Sequence, residues 1–201
     1  MVFPFFSFIT FLVFFLCFSS ATFYGAATTK SGAKQDLVRS SCIHASYPNL
    51  CLRTLSSYAG SANTPNDLAQ AAVTISLGRA RSVSLYLARL QKLHNGSKRQ
   101  QGAVSDCVEQ LSDSVDELQQ TLSELRHLRR GTFREQMSNA QTWVSAALTN
   151  EDTCLDGFQN VDGKVKSDVK QKINNVARIT SNALYFINLL DETPARAVVD
   201  P

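Results

Sequence analysis

The chain has 201 residues, with 20 Lys and Arg against 17 Asp and Glu, a formal net charge of +3 at neutral pH. So mild a balance, spread evenly along the sequence, argues against nucleic acid as a partner. Without an apolar leader about 175 residues remain, enough for one domain with its own core.

The leader runs from Val2 to Phe18 and is interrupted only by Pro4, Ser7 and Thr10. It is shorter than the roughly 20 apolar residues of a membrane-crossing helix. Small residues follow at Ser19, Ser20 and Ala21, and again at Gly25, Ala26 and Ala27. Residues 1–26 therefore read as a secretory signal peptide, with the mature chain starting between Thr22 and Thr28. The alternative is an uncleaved N-terminal anchor, since no Lys or Arg precedes the run. Removing the leader takes away Cys17 and eight of the twelve Phe but no side-chain charge, because the first charged residue is Lys30.

Four cysteines remain: Cys42, Cys51, Cys107 and Cys154. An even count in an exported chain reads as two disulfides, with three connectivities open. Close spacing around Tyr47-Pro48 favours Cys42–Cys51, which leaves Cys107–Cys154. In the chain-entropy account the short loop contributes about 2.7 kcal/mol and the long one about 4 kcal/mol, both upper figures.

The remainder reads as all-α, within a domain spanning 33–193. Ala33 to His44 and Asn49 to Tyr58 form a small helical hairpin at the N-terminal end. After a loop from Gly60 to Asn63, Thr64-Pro65 starts a long helix, Thr as N-cap and Pro at the first helical position. That helix reaches about Leu93 and turns Leu68, Ala72, Ile75, Val83, Leu87 and Leu90 inward. His94 to Gly102 is a polar, basic loop, and its Asn95-Gly96-Ser97 is a glycosylation sequon. In the second long helix Val104, Val108, Leu111, Val115, Leu118, Leu122 and Leu125 recur at a 3.5-residue period, a narrow seam suited to bundle packing. The third runs from about Arg134 to Thr149 with Met137, Ala140, Val144 and Ala147 inward, and a short continuation from Glu151 to Asn160 carries Cys154. Past Asp162-Gly163 the fourth repeats the seam with Val169, Ile173, Val176, Thr180, Ala183, Ile187 and Leu190, ending near Thr193-Pro194. Short connections between four long helices imply an antiparallel up-down four-helix bundle.

No catalytic constellation emerges, so the chain is expected to act by binding, without a cofactor and without a small-molecule substrate. His44, His94 and His127 belong to separate segments. Glu124-Leu125-Arg126-His127 has the Glu-x-x-His form of di-iron bundles, but such a site needs two of these motifs and two further carboxylates. Leu125 is a seam position, which turns Glu124 and His127 outward, so no metal site is expected. No Gly-rich phosphate loop or nucleophile elbow is present. With four cysteines paired, no thiol is left as a nucleophile.

Several segments together carry a resemblance. They are Ser41-Cys42-Ile43-His44-Ala45-Ser46-Tyr47-Pro48-Asn49-Leu50-Cys51, Asp106-Cys107-Val108-Glu109-Gln110-Leu111 running into Ser114-Val115-Asp116-Glu117-Leu118, Thr142 to Asn150, Thr153-Cys154-Leu155-Asp156-Gly157-Phe158, and Thr180-Ser181-Asn182-Ala183-Leu184. In that order they resemble the motifs of the plant invertase and pectin methylesterase inhibitor family. The resemblance implies a helical hairpin on a four-helix bundle and bridges between the first and second and the third and fourth cysteines. It also implies export to the apoplast and cell wall. Invertase inhibitors of the family resemble one another in a Pro-Lys-Phe motif after the second bundle helix, where this chain has Gly131-Thr132-Phe133 and keeps only the Phe. Thr142 to Asn150 with Thr153 to Phe158 resembles the pectin methylesterase inhibitor branch instead. The resemblance therefore implies a pectin methylesterase as partner, its cleft blocked in a non-covalent one-to-one complex. Inhibition of acid invertase, or a folding and retention role like that of the pro-regions of some esterases, are the alternatives. The chain ends at Pro201 with no esterase after it, which favours a free-standing inhibitor. Candidate contacts are exposed polar residues of the second and third bundle helices: Asp113, Asp116, Gln120, Asn139 and Thr142.

Overall fold

The computed structural model describes residues 37–58, 62–93 and 96–193. The expected signal peptide, residues 33–36 of the first hairpin helix, Gly60 and Ser61, His94, the sequon's Asn95 and Pro194 lie outside those residues.

Residues 37–42 are helical and a turn follows through 47. Five further helices succeed it: α1, Pro48–Tyr58; α2, Pro65–Leu93; α3, Lys98–Arg126; α4, Phe133–Gly157; and α5, Lys164–Asp191. α2 packs on α3 and α5, and α4 packs on α3 and α5, so the four long helices close a bundle around one core. α1 lies against α2 and α5. The bundle, the appended hairpin and the bridges Cys42–Cys51 and Cys107–Cys154 agree with the reading of the sequence.

α2 begins where Thr64-Pro65 predicts, through a reciprocal cap. The Asp67 amide donates to Thr64 Oγ1 at 3.1 Å, and Asp67 Oδ2 accepts from the amides of Thr64 and Asn63 at 3.0 and 2.8 Å. Such a cap satisfies amide donors that an N-terminal turn otherwise leaves open. Ile75 and Leu90, expected inward on α2, are only half-buried at the edge of the core.

Three expectations need correction. α3 starts at Lys98, so the stretch read as a loop to Gly102 is helical from there on. Ser97 caps it, its Oγ accepting from the Gln100 amide, and a first turn facing solvent needs no apolar period. Second, the buried stripe of α3 keeps five of the seven expected seam residues but not Val108 and Val115, which are half-buried. It runs through Val104, Cys107, Leu111, Ser114, Leu118, Thr121, Leu122 and Leu125. Cys107, Ser114 and Thr121 can face inward because each has a partner there: Cys154, Glu151 Oε1 and the Glu117 carbonyl. Third, α4 is one helix from Phe133 to Gly157, so the short continuation expected over Glu151 to Asn160 is part of it and stops three residues earlier. Asn150 is bonded across to α3 and Glu151 points into the core, so neither polar residue interrupts the helix. The α5 seam, by contrast, is buried at all seven expected positions.

Gly163 precedes α5 with φ of +96°, a conformation that side chains with a Cβ rarely adopt. The hairpin is pinned to α5 by Asn182. The Tyr47 amide donates to its Oδ1 at 2.8 Å, and its Nδ2 donates to the Tyr47 carbonyl at 3.2 Å.

A polar chain crosses the core and touches all four bundle helices. Ser76 Oγ on α2 lies 2.6 Å from Thr180 Oγ1 on α5. Thr180 donates to Glu151 Oε1 on α4 at 3.0 Å, and Ser114 Oγ on α3 donates to the same oxygen at 2.9 Å. Glu151 is fully buried, and its Oε2 finds no hydrogen-bond partner among the described residues. Burial pushes its carboxyl up to about 8, against the two hydroxyl bonds and with smaller help from Asp152 and Glu117.

Candidate inhibitory face

From residue 100 to 125, α3 contains Asp106, Glu109, Asp113, Asp116, Glu117 and Glu124 and no Lys or Arg. The charge that looks even along the sequence is thus segregated by helix. Asp113, Asp116 and Gln120 are spaced i, i+3 and i+7 and are all exposed, on the side of α3 away from Leu111, Leu118 and Leu125. Asp116 is steadied by Gln119, whose Nε2 donates to it at 3.0 Å. The guanidinium of Arg81 on α2 in turn donates to Gln119 Oε1.

The other two candidates stand apart from this stripe. Asn139 is half-buried between α3 and α4, its Nδ2 donating to Glu124 Oε1 at 3.0 Å. Thr142 is exposed, but its hydroxyl donates to the Ser138 carbonyl of its own helix at 2.8 Å. The structure therefore gathers Asp113, Asp116 and Gln120 into one outward surface and makes Asn139 part of the helix–helix seam.

Two pairs along that seam were not singled out in the sequence: Asn139 with Glu124, and Asn150 with Glu117, where Nδ2 donates to Oε2 at 2.9 Å. Seven residues separate the two carboxylates on α3, so they lie two turns apart on the same side. Burial raises the Glu117 carboxyl above its ordinary range, with Asp113 and Asp116 adding to the rise and the Asn150 bond opposing it. The available signal was position: both glutamates directly precede buried leucines, Leu118 and Leu125, at the flank of the core stripe. What sequence alone does not supply is the α4 residue opposite each one.

The connection between α3 and α4 is tied by Gln136. Its Oε1 accepts from the Arg129 amide at 2.8 Å and from Thr132 Oγ1 at 3.0 Å, and its Nε2 donates to the His127 carbonyl at 2.8 Å. Gly131 and Thr132 are exposed, whereas Phe133 is 5% exposed and belongs to the core. Val144 and Phe158 are likewise core, and Trp143 is half-buried. His127 is exposed with its Nδ1 at 2.8 Å from the Ser123 carbonyl. Glu124 is turned to Asn139, and no cluster of three or more His, Cys, Asp or Glu able to hold a metal occurs among the described residues.

The family model described as plant invertase/pectin methylesterase inhibitor matches residues 36–186. Pectinesterase inhibitor 3 of Arabidopsis thaliana is 51% identical over 193 residues, covering 92% of this chain and 92% of its own. Pectinesterase inhibitor 9 of the same plant is 44% identical over 176 residues, covering 83% and 86%. Among solved structures, a mutant form of a pectin methylesterase inhibitor from Arabidopsis superposes with a TM-score of 0.62 at 23% identity, covering 74% of this chain and 93% of that one. That last likeness is one of fold.

Proposed function

Because this chain belongs to the plant invertase/pectin methylesterase inhibitor family, whose pectinesterase inhibitors are not enzymes, we propose that it binds a plant pectin methylesterase one-to-one and without a covalent step, covering the cleft that receives pectin. The observation that carries the reading is the outward stripe of Asp113, Asp116 and Gln120 on a helix whose other side is locked into the core. A groove shaped for a polysaccharide presents hydrogen-bonding groups at regular spacing. A helix surface with polar groups at fixed positions matches it at little ordering cost. Rigidity comes from the Cys107–Cys154 bridge between α3 and α4 and from the Glu117–Asn150 and Glu124–Asn139 pairs.

The invertase alternative gains no support from the geometry. The one residue kept from the Pro-Lys-Phe motif, Phe133, is packed inside the bundle and is not presented to a partner. The exposed Gly131 and Thr132, which stand where the motif has its Pro and Lys, carry no charge.

The site of action is the apoplast, reached by a signal peptide within residues 1–26. No described helix is long and apolar enough to cross a membrane. A glycan at Asn95 belongs to the same proposal, with Ser97, the sequon's hydroxyl residue, also serving as the α3 cap.

The test is a paired titration of purified protein against pectin methylesterase and acid invertase. The reading expects saturation of the esterase at one equivalent, competition with pectin, and an active invertase. Strong inhibition of invertase beside an unaffected esterase would reverse it.

A further inference from the structure

On the side of the bundle away from α3 and α4, a groove of about 630 Å³ runs between α2 and α5. Arg79 and Tyr86 of α2 and Gln171, Lys172, Asn175 and Arg178 of α5 line it, and no carboxylate does. The charge around it is one-sided. From Arg79 to Leu93, α2 has no acid and four bases, of which Arg81 is turned to Gln119 of α3. From Lys164 to Arg178, α5 has five bases, of which Lys166 is bonded to the Gln159 carbonyl, and a single acid, Asp168. That acid is already bonded to Lys164 at 2.8 Å.

Two of the cations are held over tyrosine rings. Lys172 Nζ lies 4.6 Å from the centroid of Tyr86, and the Arg178 guanidinium carbon lies 5.5 Å from that of Tyr47. Tyr47 is itself fixed to α5 through Asn182, so the hairpin forms one end of the arrangement. Six residues of helix put Lys172 and Arg178 about 9 Å apart along α5. Cations positioned in advance lose less side-chain freedom when an anion arrives.

We propose that this α2–α5 groove binds an extended polyuronate, the de-esterified form of pectin. The identity of the polymer rests on the inhibitor reading above, because the target enzyme turns each methyl ester and a water into a carboxylate, methanol and a proton. The match itself rests on the groove. A polyuronate carries one carboxylate per sugar beside several hydroxyls, and the groove offers spaced cations with Gln171, Asn174 and Asn175 amides between them. Nucleic acid fits less well: Lys172 and Arg178 each occupy one face of Tyr86 and Tyr47, the face on which a base would otherwise stack beside those cations. Since α3 and α4 occupy the opposite side, one molecule can hold the esterase by one face and the product polymer by the other.

The experiment measures binding of a labelled, fully de-esterified oligogalacturonate by fluorescence anisotropy, with no esterase present, so that failure of the inhibitor reading and failure of this one remain distinct. The expected result is saturable binding that weakens with added salt, about tenfold or more weaker for the fully methyl-esterified oligomer. Arg79→Glu with Lys172→Glu should remove most of that binding and leave helical content and esterase inhibition unchanged, since both side chains are exposed and lie off the α3–α4 face. Chemical-shift changes on adding the oligomer should cluster at Tyr47, Tyr86, Lys172 and Arg178. Equal affinity for the esterified oligomer overturns the proposal. So does undiminished binding by the double variant, or a sulfated glucan of the same length competing as well as the uronate.

Discussion

Glu151 is the residue whose chemistry is least expected from its place in the sequence, between Asn150 and Asp152 near the end of α4. Its burial raises the folded-state carboxyl to about 8, above the ordinary value of 4.5 it regains on unfolding. The folded protein therefore holds a proton that the unfolded chain releases, and this contribution to stability is complete below about pH 4.5 and lost as pH rises through about 8. A shift of that size corresponds to a few kcal/mol. Thermal midpoints measured from pH 5 to pH 9 should fall with rising pH, and Glu151→Gln, which cannot ionise, should flatten the fall. An unchanged slope in the variant would remove Glu151 as its cause. Two purely structural residues carry simpler expectations. Leu118→Ala leaves a cavity at a position with no exposure and should cost about 2–5 kcal/mol in chemical denaturation. Gly163→Ala meets no atom within 4 Å but must hold φ at +96° with ψ at −172°, a region essentially reserved for glycine, so its cost of about 1–3 kcal/mol would be backbone strain alone.

At the scale of elements, the long helices were legible where apolar periodicity or a capping residue marks them. Thr64-Pro65 locates the start of α2, and the α5 seam is buried as its period predicts. α3 shows the limit of that reading. Its apolar residues match both a stripe through Val108 and Val115 and one through Cys107 and Ser114, and the choice depends on what α4 places opposite. The hairpin is the weakest-held element, since its contacts with the bundle are few beside those among the long helices and the Tyr47–Asn182 pair is its clearest polar tie. Asn182→Ala should raise amide exchange across α1 while leaving exchange in α3 and α4 unchanged. Loss of protection throughout the bundle would show instead that the hairpin is integral to the fold.

For the whole molecule, the folded arrangement converts a near-balanced composition into two opposite faces, an acidic α3 surface and a basic α2–α5 groove. The inhibitory reading places the esterase on the first. Asp113→Lys and Asp116→Lys should each weaken esterase inhibition several-fold without lowering helical content, because both side chains are exposed and their helix is anchored from its other side. Added salt should weaken the wild-type complex and have less effect on a variant carrying both Asp113→Lys and Asp116→Lys. Full inhibition by the variant carrying both Asp113→Lys and Asp116→Lys would exclude this stripe as the contact surface.

Helix period, capping residues and cysteine spacing by themselves determined the bundle, its hairpin and the motif order on which the family resemblance stands, because each is a local property of a few neighbouring residues. Which polar groups meet was decided only in three dimensions. The Ser76–Thr180–Glu151–Ser114 chain, the Glu117–Asn150 and Glu124–Asn139 pairs, and the burial of Phe133 all depend on how far one helix slides along another. A shift of one turn would pair different residues while leaving every apolar period intact. That axial register is settled by the Cys107–Cys154 bridge and by side chains fitting across the core, and no stretch of sequence contains it alone.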